Sequence, residues 1–335
     1  MWIMNEQKKY LGYWIKRFLL EYIISVRNLS RNTQLSYRDT FRLLIPFISK
    51  KEKTKAEDIL LEQITPESIV LFLSDLEKNR KCSISTRNQR LVAIFSLSKF
   101  VAQNAPEYVE WSRLAHTVPV KKHQKTVITY LDKDEMDALL AAPDRKNKQG
   151  QRDYSLLLFL YNTGARAEEV ASLKIADLDV EKRVVSLHGK GDKLRRCPLW
   201  KSTVEELKIQ IRNRSPSENV FMNRLNQPIT RFGIYAIVEK YVGVVAQNKP
   251  SIMQKRVSPH TIRHTTATHL LQSGVDINTI RAWLGHVSIN TTNIYAEINL
   301  KMKAEALACC EVGSTTNKSK HWKDDNNLMA FLDNL

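Results

Sequence analysis

Apolar residues recur every three to four positions through the first hundred residues of the chain, as they do along the buried face of an amphipathic helix. Polar caps stand where such helices would begin: Ser30, then Thr65 followed by Pro66, and then Ser85. The pattern predicts helices over residues 5–24, 31–49, from 66 onward, and 86–103. We therefore expect residues 1–111 to form an all-helical domain.

The helical period is lost over residues 112–126, which contain Pro119 and three lysines and predict a linker between domains. It returns in the second half of the chain. Helices are predicted there over Leu131–Leu140, opened by Asp132, over Arg152–Tyr161, and over about residues 202–213 and 229–245.

Residues 183–199 have a different pattern, because two stretches rich in valine and leucine flank the turn Gly189-Lys190-Gly191-Asp192. This arrangement predicts a β-hairpin. The expected fold class is mainly α with a small β-sheet. It consists of the helical first domain and a mixed α/β domain over residues 127–311.

The composition indicates what kind of partner the chain binds and in which compartment it is found. Lys and Arg number 52 against 35 Asp and Glu, a formal net charge of +17, and both halves of the chain share the excess. Such an excess favours a polyanionic partner, nucleic acid or an anionic membrane surface, although it also serves solubility. Four scattered cysteines form no disulfide framework, and no stretch resembles a signal peptide or a membrane span. We expect a cytoplasmic protein that does not enter a membrane.

Candidate chemistry is concentrated over residues 257–298. Ser258 is a good helix cap and Pro259 a good first helical residue, so His260 falls in the first turn, where free N–H groups favour an anion. Arg263 follows three residues later on the same helix face. A cation and an imidazole at a helix start are a plausible phosphate cradle.

The same region continues with a helix from about residue 277 to Gly285, after which His286 emerges, and a third short helix carries Tyr295. Each residue alone has an ordinary structural explanation. The histidines His260, His264 and His269 on one helix also raise zinc binding. They lack the intervening Glu and the nearby cysteines of a zinc site, so we expect no metal.

The order of these residues resembles the signature of the tyrosine recombinase (phage integrase) family. The matching segments are His260-Thr261-Ile262-Arg263-His264, Leu284-Gly285-His286, Tyr295, Thr163-Gly164-Ala165-Arg166-Ala167-Glu168-Glu169 and Gly189-Lys190-Gly191. The resemblance is strong over residues 127–311. It extends more weakly to residues 5–105, which are similar to the family's helical core-binding (SAM-like) domain. It implies a two-domain DNA clamp whose mixed α/β domain is catalytic.

The resemblance assigns Tyr295 as the nucleophile that attacks a DNA phosphodiester. Arg166 and Arg263 would hold the non-bridging oxygens, which suits a planar guanidinium. Lys190 would protonate the leaving 5′ oxygen, with Lys193 as the alternative. The family needs no cofactor: a phosphotyrosine conserves the energy of the diester, and the lysine turn lacks the spacing of a nucleotide-binding loop.

Three further residues have supporting roles under the same resemblance. His260 would assist by proton transfer or a hydrogen bond, and His286 would donate a hydrogen bond to the phosphate. Glu169 would orient neighbouring catalytic groups without taking part in bond breaking, and His264 would be structural.

DNA contacts are expected on polar helix faces and at one helix start. The candidates are Arg31, Asn32, Thr33, Arg38, Thr86, Arg87, Asn88, Arg90, Thr230 and Arg231. Most would bind phosphates and so fix position without specifying sequence. The implied partner is double-stranded DNA with inverted-repeat half-sites, bound by a homo-tetramer, with accessory proteins as a further option.

The size and plan of the chain are similar to Xer-type recombinases and to the integrases of mobile elements. Residues 312–335 predict a polar spacer followed by a short apolar helix, a tail that could dock on a neighbouring subunit. A type IB topoisomerase or a telomere resolvase would share the tyrosine chemistry. A non-catalytic DNA-binding regulator would not need the catalytic residues.

Overall fold

The computed structural model describes residues 7–122, 129–189 and 193–285, and the chain divides into two compact units, Met1–Thr126 and Val127–Leu335. The described part of the chain is mainly helical with one small sheet, so the predicted fold class is confirmed. None of the described helices is both long and apolar enough to cross a membrane.

The first unit is built from helices around an aromatic and aliphatic core. Its α-helices are α1 (Leu11–Arg17), α2 (Arg31–Glu52), α3 (Pro66–Lys78), α4 (Ile84–Asn104) and α5 (Val109–Ala115). A π-helical segment, Phe18–Val26, continues α1, and short 3-10 turns lie at Ala56–Asp58, Leu61–Gln63 and Pro106–Tyr108. Trp14, Phe18, Phe41 and Phe72 are almost fully buried in this core.

Two predictions in this unit need correction. Helix α4 is capped by Ser83, whose Oγ accepts a hydrogen bond from the Thr86 N–H at 3.2 Å, and Ser85 lies inside the first turn. The predicted linker begins too early, because residues 112–115 belong to α5 and Ala115 and Val118 are buried in the core. This boundary is decided by burial against helices distant in the sequence, which the local spacing of apolar residues does not indicate.

The second unit combines helices with the sheet. Its α-helices are α6 (Lys133–Ala141), α7 (Lys148–Thr163), α8 (Ala167–Ser172), α9 (Lys201–Ile211), α10 (Arg231–Ala246), α11 (Pro259–Gln272) and α12 (Ile277–Leu284). Short 3-10 turns lie at Ile175–Asp177 and Pro250–Gln254. Helix α7 begins four residues before its predicted start, because the Asn147 side chain accepts a hydrogen bond from the Gly150 N–H at 2.7 Å.

The sheet contains the predicted hairpin. Strands β1 (Leu178–Asp179), β2 (Val184–His188) and β3 (Leu194–Pro198) are antiparallel neighbours in that order. Val185 pairs with Cys197, and Leu187 pairs with Arg195. Since side chains alternate along a strand and directly paired residues point to the same side of a sheet, Arg195 and Cys197 lie on the same face as the buried Val185 and Leu187.

Candidate active site

Helix α11 places the first candidate residues, and its start has the predicted form. The Ser258 Oγ accepts a hydrogen bond from the Thr261 N–H at 3.3 Å, and Pro259 is the first helical residue. His260 therefore lies in the first turn and is exposed, whereas Arg263, one turn later, is 1% exposed.

The guanidinium of Arg263 is anchored by the ends of two other helices. It donates to the carbonyl oxygen of Gly164 at 2.7 Å and to that of Leu284 at 2.6 Å. Gly164 ends α7 and Gly285 ends α12, both with left-handed backbone conformation. The last carbonyls of a helix have no intrahelical partner and form the negative end of its dipole, so they suit a buried cation.

Arg166 lies two residues beyond Gly164 and precedes helix α8. Its backbone N–H donates to Glu169 Oε2 at 2.8 Å, and its guanidinium donates to Glu169 Oε1 at 2.8 Å. The Arg166 side chain is 38% exposed, so it stays accessible from solvent while one side is fixed.

Glu169 also binds an arginine that the sequence analysis did not single out. Arg195, on β3, donates to Glu169 Oε1 at 2.9 Å and to Oε2 at 2.7 Å. Its Nε donates to the carbonyl of Trp283 at 3.0 Å, in the last turn of α12. Burial by itself would raise the pKa of Glu169, but Arg195, assisted by Arg166, holds it below its ordinary value.

The sequence did contain a signal for Arg195. It stands at a core-facing position of a predicted hairpin, in phase with the apolar residue Cys197. A charged residue at such a position requires a buried partner of opposite charge.

The two histidines of α11 are in ring contact, with centroids 4.3 Å apart and planes at 71°. Desolvation and the charges of Arg263 and Arg166 lower the pKa of His260. Burial, His260 and Arg263 lower the pKa of His264 to about 4. Both imidazoles are therefore neutral at pH 7, and a neutral imidazole has one nitrogen that donates and one that accepts.

These residues make an electropositive site. Arg166, Arg195 and Arg263 surround the single carboxylate Glu169, which leaves a net charge of about +2 on this set of four at neutral pH. An anion such as a phosphodiester suits that charge, and guanidinium groups offer it paired donors. No group of three or more His, Cys, Asp or Glu side chains in the described ranges is arranged to hold a metal ion.

The root of the predicted lysine turn lies against the same carboxylate. Gly189 donates its N–H to the Lys193 carbonyl at 2.8 Å, closing the hairpin. A Cβ on Gly189 would stand 3.5 Å from Glu169 Oε1, so the backbone passes close to the ion pair. The Lys193 side chain is exposed.

Three of the six predicted catalytic residues lie outside the described residues: Lys190, His286 and Tyr295. The structure brings the other three, Arg166, His260 and Arg263, to one place together with Glu169. Gly189 and Gly285, which adjoin Lys190 and His286 in the sequence, are part of the same cluster, since a Cβ on Gly285 would stand 2.9 Å from Arg195 Cδ.

The candidate DNA contacts on α4 are largely engaged within the protein. Arg87 is 4% exposed, lies 3.5 Å from Glu77 and donates to the Pro119 carbonyl at 3.0 Å. Its prediction as a DNA contact is corrected, because a guanidinium buried in this way cannot reach DNA. The Asn88 side chain donates to the Lys121 carbonyl at 2.8 Å and accepts from the Lys121 N–H at 3.1 Å. Arg90 donates to the Ser36 carbonyl at 2.8 Å.

The remaining candidates keep exposed or half-buried positions. Arg31, Asn32 and Arg38 are exposed, and Thr33 and Thr86 are half-buried near the starts of α2 and α4. Thr230 caps α10 by accepting from the Gly233 N–H at 3.1 Å. Arg231 lies 3.5 Å from Glu168 and 4.8 Å from the ring of the exposed Phe232.

Comparison with known proteins gives matches over both units of the chain. The model of the phage integrase family matches residues 129–302, and that of the phage integrase N-terminal SAM-like domain matches residues 15–104. The putative integrase/recombinase y4rC of Sinorhizobium fredii is 36% identical over 327 residues, 96% of this chain and 97% of the relative. Tyrosine recombinase XerC of Chlamydia caviae is 27% identical over 305 residues, 85% of this chain and 95% of the relative.

Two solved structures have the same fold. XerH site-specific recombinase bound to difH substrate has a TM-score of 0.65 at 22% identity, covering 91% of this chain and 97% of that one. The Tn1549 transposon integrase in complex with transposon right end DNA has a TM-score of 0.66 at 18% identity, covering 89% of this chain and 99% of that one.

The family-model matches and the 36% identity to y4rC across almost the whole chain show that this chain belongs to the phage integrase family. It is an enzyme of the tyrosine recombinase class, a site-specific recombinase.

Proposed function

We propose that this recombinase cleaves and rejoins DNA through a 3′-phosphotyrosine intermediate at Tyr295. The observation that carries the proposal is the convergence of Arg166, Arg263 and His260 beside Glu169. Gly189 and Gly285, which precede Lys190 and His286 in the sequence, belong to the same cluster. This cluster holds positive charge and a neutral imidazole together, as phosphoryl transfer to an amino-acid hydroxyl requires.

Arg263 and Arg166 supply the electrostatic part of the reaction. In the transition state the non-bridging oxygens gain negative charge, and guanidinium donors stabilise it without any transfer of protons. Arg263 is fixed by two carbonyls and Arg166 by Glu169, so neither side chain has to be ordered as the reaction proceeds.

The proton transfers follow from the remaining groups. The Tyr295 hydroxyl oxygen forms a bond to phosphorus while the bond from phosphorus to the 5′ oxygen breaks. His260, neutral at pH 7, takes the tyrosine proton, and Lys190 gives a proton to the departing 5′ oxygen. Lys193 remains the alternative acid, because it is exposed at the base of the same hairpin. His286 would bind a phosphate oxygen by a hydrogen bond.

The partner we propose is double-stranded DNA with inverted-repeat half-sites, bound by both units. XerH was solved with its difH substrate and the lambda integrase dimer with a core site, which supports DNA as the partner here. The net charge of +17 on this chain is opposite in sign to that of the DNA phosphates, which also supports the proposal. We further propose assembly of four copies on the DNA, in which accessory proteins could take part.

The biological role we favour is movement of a mobile element. It draws support from the name of y4rC, putative integrase/recombinase, and from the Tn1549 transposon integrase among the structures of the same fold. Precise exchange of strands between two DNA sites, as opposed to relaxation of supercoils alone, separates this role from that of a topoisomerase.

The test of the proposal is covalent capture. A suicide DNA nicked beside the cleavage point should leave an SDS-resistant adduct between the protein and the 3′ phosphate. Tyr295→Phe should abolish the adduct and leave DNA binding in a gel shift unchanged, since only the nucleophilic oxygen is removed. Tyr235→Phe, which alters an exposed tyrosine on α10, is the matched control and should react normally. An adduct that persists in Tyr295→Phe would overturn the assignment.

A further inference from the structure

Arg195 joins three segments that surround the candidate active site. It leaves strand β3, forms two hydrogen bonds to Glu169 on α8, and donates to the Trp283 carbonyl at the end of α12. The Cys197 Sγ, on the same strand face, donates to that carbonyl at 3.4 Å. A single side chain therefore connects the hairpin, the Arg166 segment and the helix end that precedes His286.

The Arg195 side chain is only 8% exposed, and its Nε, Nη1 and Nη2 each donate to a partner inside the protein. Arg166 is different, since it is 38% exposed and binds the same carboxylate through one nitrogen of its guanidinium. Arg195 is therefore placed to act on its neighbours, and Arg166 is placed to meet a ligand.

The charges explain why two arginines share one carboxylate. If Glu169 were opposed by Arg166 alone, the pair would be neutral, and the carboxylate would hold the Arg166 guanidinium away from a phosphate. With Arg195 in a bidentate ion pair, Glu169 is already neutralised, and the three groups together keep one positive charge. Arg166 can then present its charge to the phosphate while Glu169 still orients it.

We propose that Arg195 is a positioning residue for strand cleavage: it neutralises Glu169 so that the charge of Arg166 is available to the scissile phosphate. This proposal rests on the proposed cleavage function. It assigns Arg195 no contact with DNA. Its effect reaches the reaction through Arg166.

The experiment compares the rate of adduct formation on two suicide substrates, using saturating full-length protein in a single turnover. One substrate has the ordinary scissile phosphate, and the other has a methylphosphonate there, which carries no negative charge and depends less on arginine. Arg195→Gln is the test variant. Arg196→Gln is its matched control, because Arg196 is the next residue on β3, has the same charge and is exposed on the other face. Arg166→Ala is the reference for loss of the charge itself.

On the ordinary substrate, Arg195→Gln should react more slowly than wild type by roughly ten- to a hundredfold, with half-site binding unchanged; direct removal of one transition-state donor costs about a hundred- to a thousandfold. On the methylphosphonate the deficit of Arg195→Gln should shrink, as should that of Arg166→Ala. Arg196→Gln should match wild type on both. A purely structural defect lowers the active fraction and so gives the same deficit on both substrates; that result would overturn the proposal.

A second variant covers the case in which Arg195→Gln folds poorly, since an unpaired buried carboxylate is strongly destabilising. The double variant Glu169→Gln with Arg195→Gln removes both charges and should regain part of the lost rate on ordinary DNA. If it reacts no faster than Arg195→Gln, the neutralisation of Glu169 is not the role of Arg195. If the wild type itself forms no adduct, the proposed function fails and this proposal fails with it, whereas a reactive wild type confines any failure to Arg195.

Discussion

Arg263 and Arg166 differ in how their charges are balanced. Two of the contacts of Arg263 are to main-chain carbonyls, which are dipoles without net charge, so these contacts hold the guanidinium without neutralising it. Arg166 faces a carboxylate, whose charge Arg195 shares. Individual residues of the site are thus arranged so that orientation and net positive charge are obtained together.

The neutral, half-buried His264 beside His260 makes the stability of the fold depend on pH. The pKa of His264 is lowered to about 4 from an ordinary value near 6.5, so the unfolded chain binds the proton more readily between those values. Stability that depends on this residue is therefore complete above about pH 6.5 and is lost as the pH falls towards 4.

We expect His264→Gln to weaken this loss. In wild type, the free energy of unfolding should decrease between pH 7.5 and pH 5, with His264 contributing about 1 to 2 kcal/mol, because one pKa unit corresponds to about 1.4 kcal/mol. Urea unfolding of both full-length proteins at the two pH values measures the difference. An equal decrease in the variant would show that His264 is not responsible.

Helix ends position the site at the scale of secondary-structure elements. Helix α7 ends at Gly164 and α12 ends at Gly285, with φ values of 58° and 65°. Each left-handed residue ends its helix and leaves carbonyls without an intrahelical partner. Arg263 donates to those of Gly164 and Leu284, and Arg195 donates to that of Trp283. The start of α11 supplies His260, one turn before the Arg263 that contacts both ends. The geometry of the site is therefore decided by where helices stop and start.

Gly164→Ala tests this dependence on helix ends. A Cβ at Gly164 would stand 2.6 Å from Leu284 Cδ2, and alanine is strained at a positive φ by about 1 to 2 kcal/mol. We expect a loss of about 2 to 4 kcal/mol of unfolding free energy once the cost of overpacking is included, and slower adduct formation, because the Gly164 carbonyl holds Arg263.

Gly243→Ala is the control for Gly164→Ala. Gly243 lies within helix α10, and a Cβ there meets no atom within 4 Å. Since alanine is the better helix former, this variant should be more stable by about 0.5 to 1 kcal/mol. Chemical denaturation measures the free energy of unfolding of both variants. Equal stability of the two would contradict the importance of the α7 end.

At the scale of the whole molecule, positive charge and chain organisation act together. The two units each match a family model, and the excess of basic residues is spread over both. A protein with this distribution can bind DNA phosphates along its length, with an affinity that falls as salt concentration rises. The C-terminal tail, residues 312–335, lies outside the described residues, and its docking on a neighbouring subunit is our proposal for how copies communicate.

Truncation after residue 313 tests that proposal. The apolar segment near the end of the chain is too short to be a stable helix alone and needs a surface to cover it. The shortened protein should bind a single half-site as wild type does and lose cooperative assembly on a full site, measured by gel shift. Normal assembly and recombination by the truncated protein would exclude docking in trans and favour packing of the tail on its own subunit.

The local features of this protein were available from the sequence. The helices, the caps at Thr65 and Ser258 and the hairpin all depend on residues close together in the chain, because capping and periodicity act over one or two turns. The order of the residues that resemble the family signature could be read from the sequence for the same reason. These features were sufficient to identify the fold class and the family.

Partners distant in the sequence were decided by the tertiary structure alone. Arg87 and Arg195 are both cationic residues at ordinary positions of a helix and a strand, yet each is buried beside a carboxylate, Glu77 or Glu169. Whether such a side chain meets DNA, solvent or a buried partner depends on which elements pack against it. Local spacing does not contain that information, because burial is a property of the packed chain, and so the compensation of charge in this site emerged only from the fold.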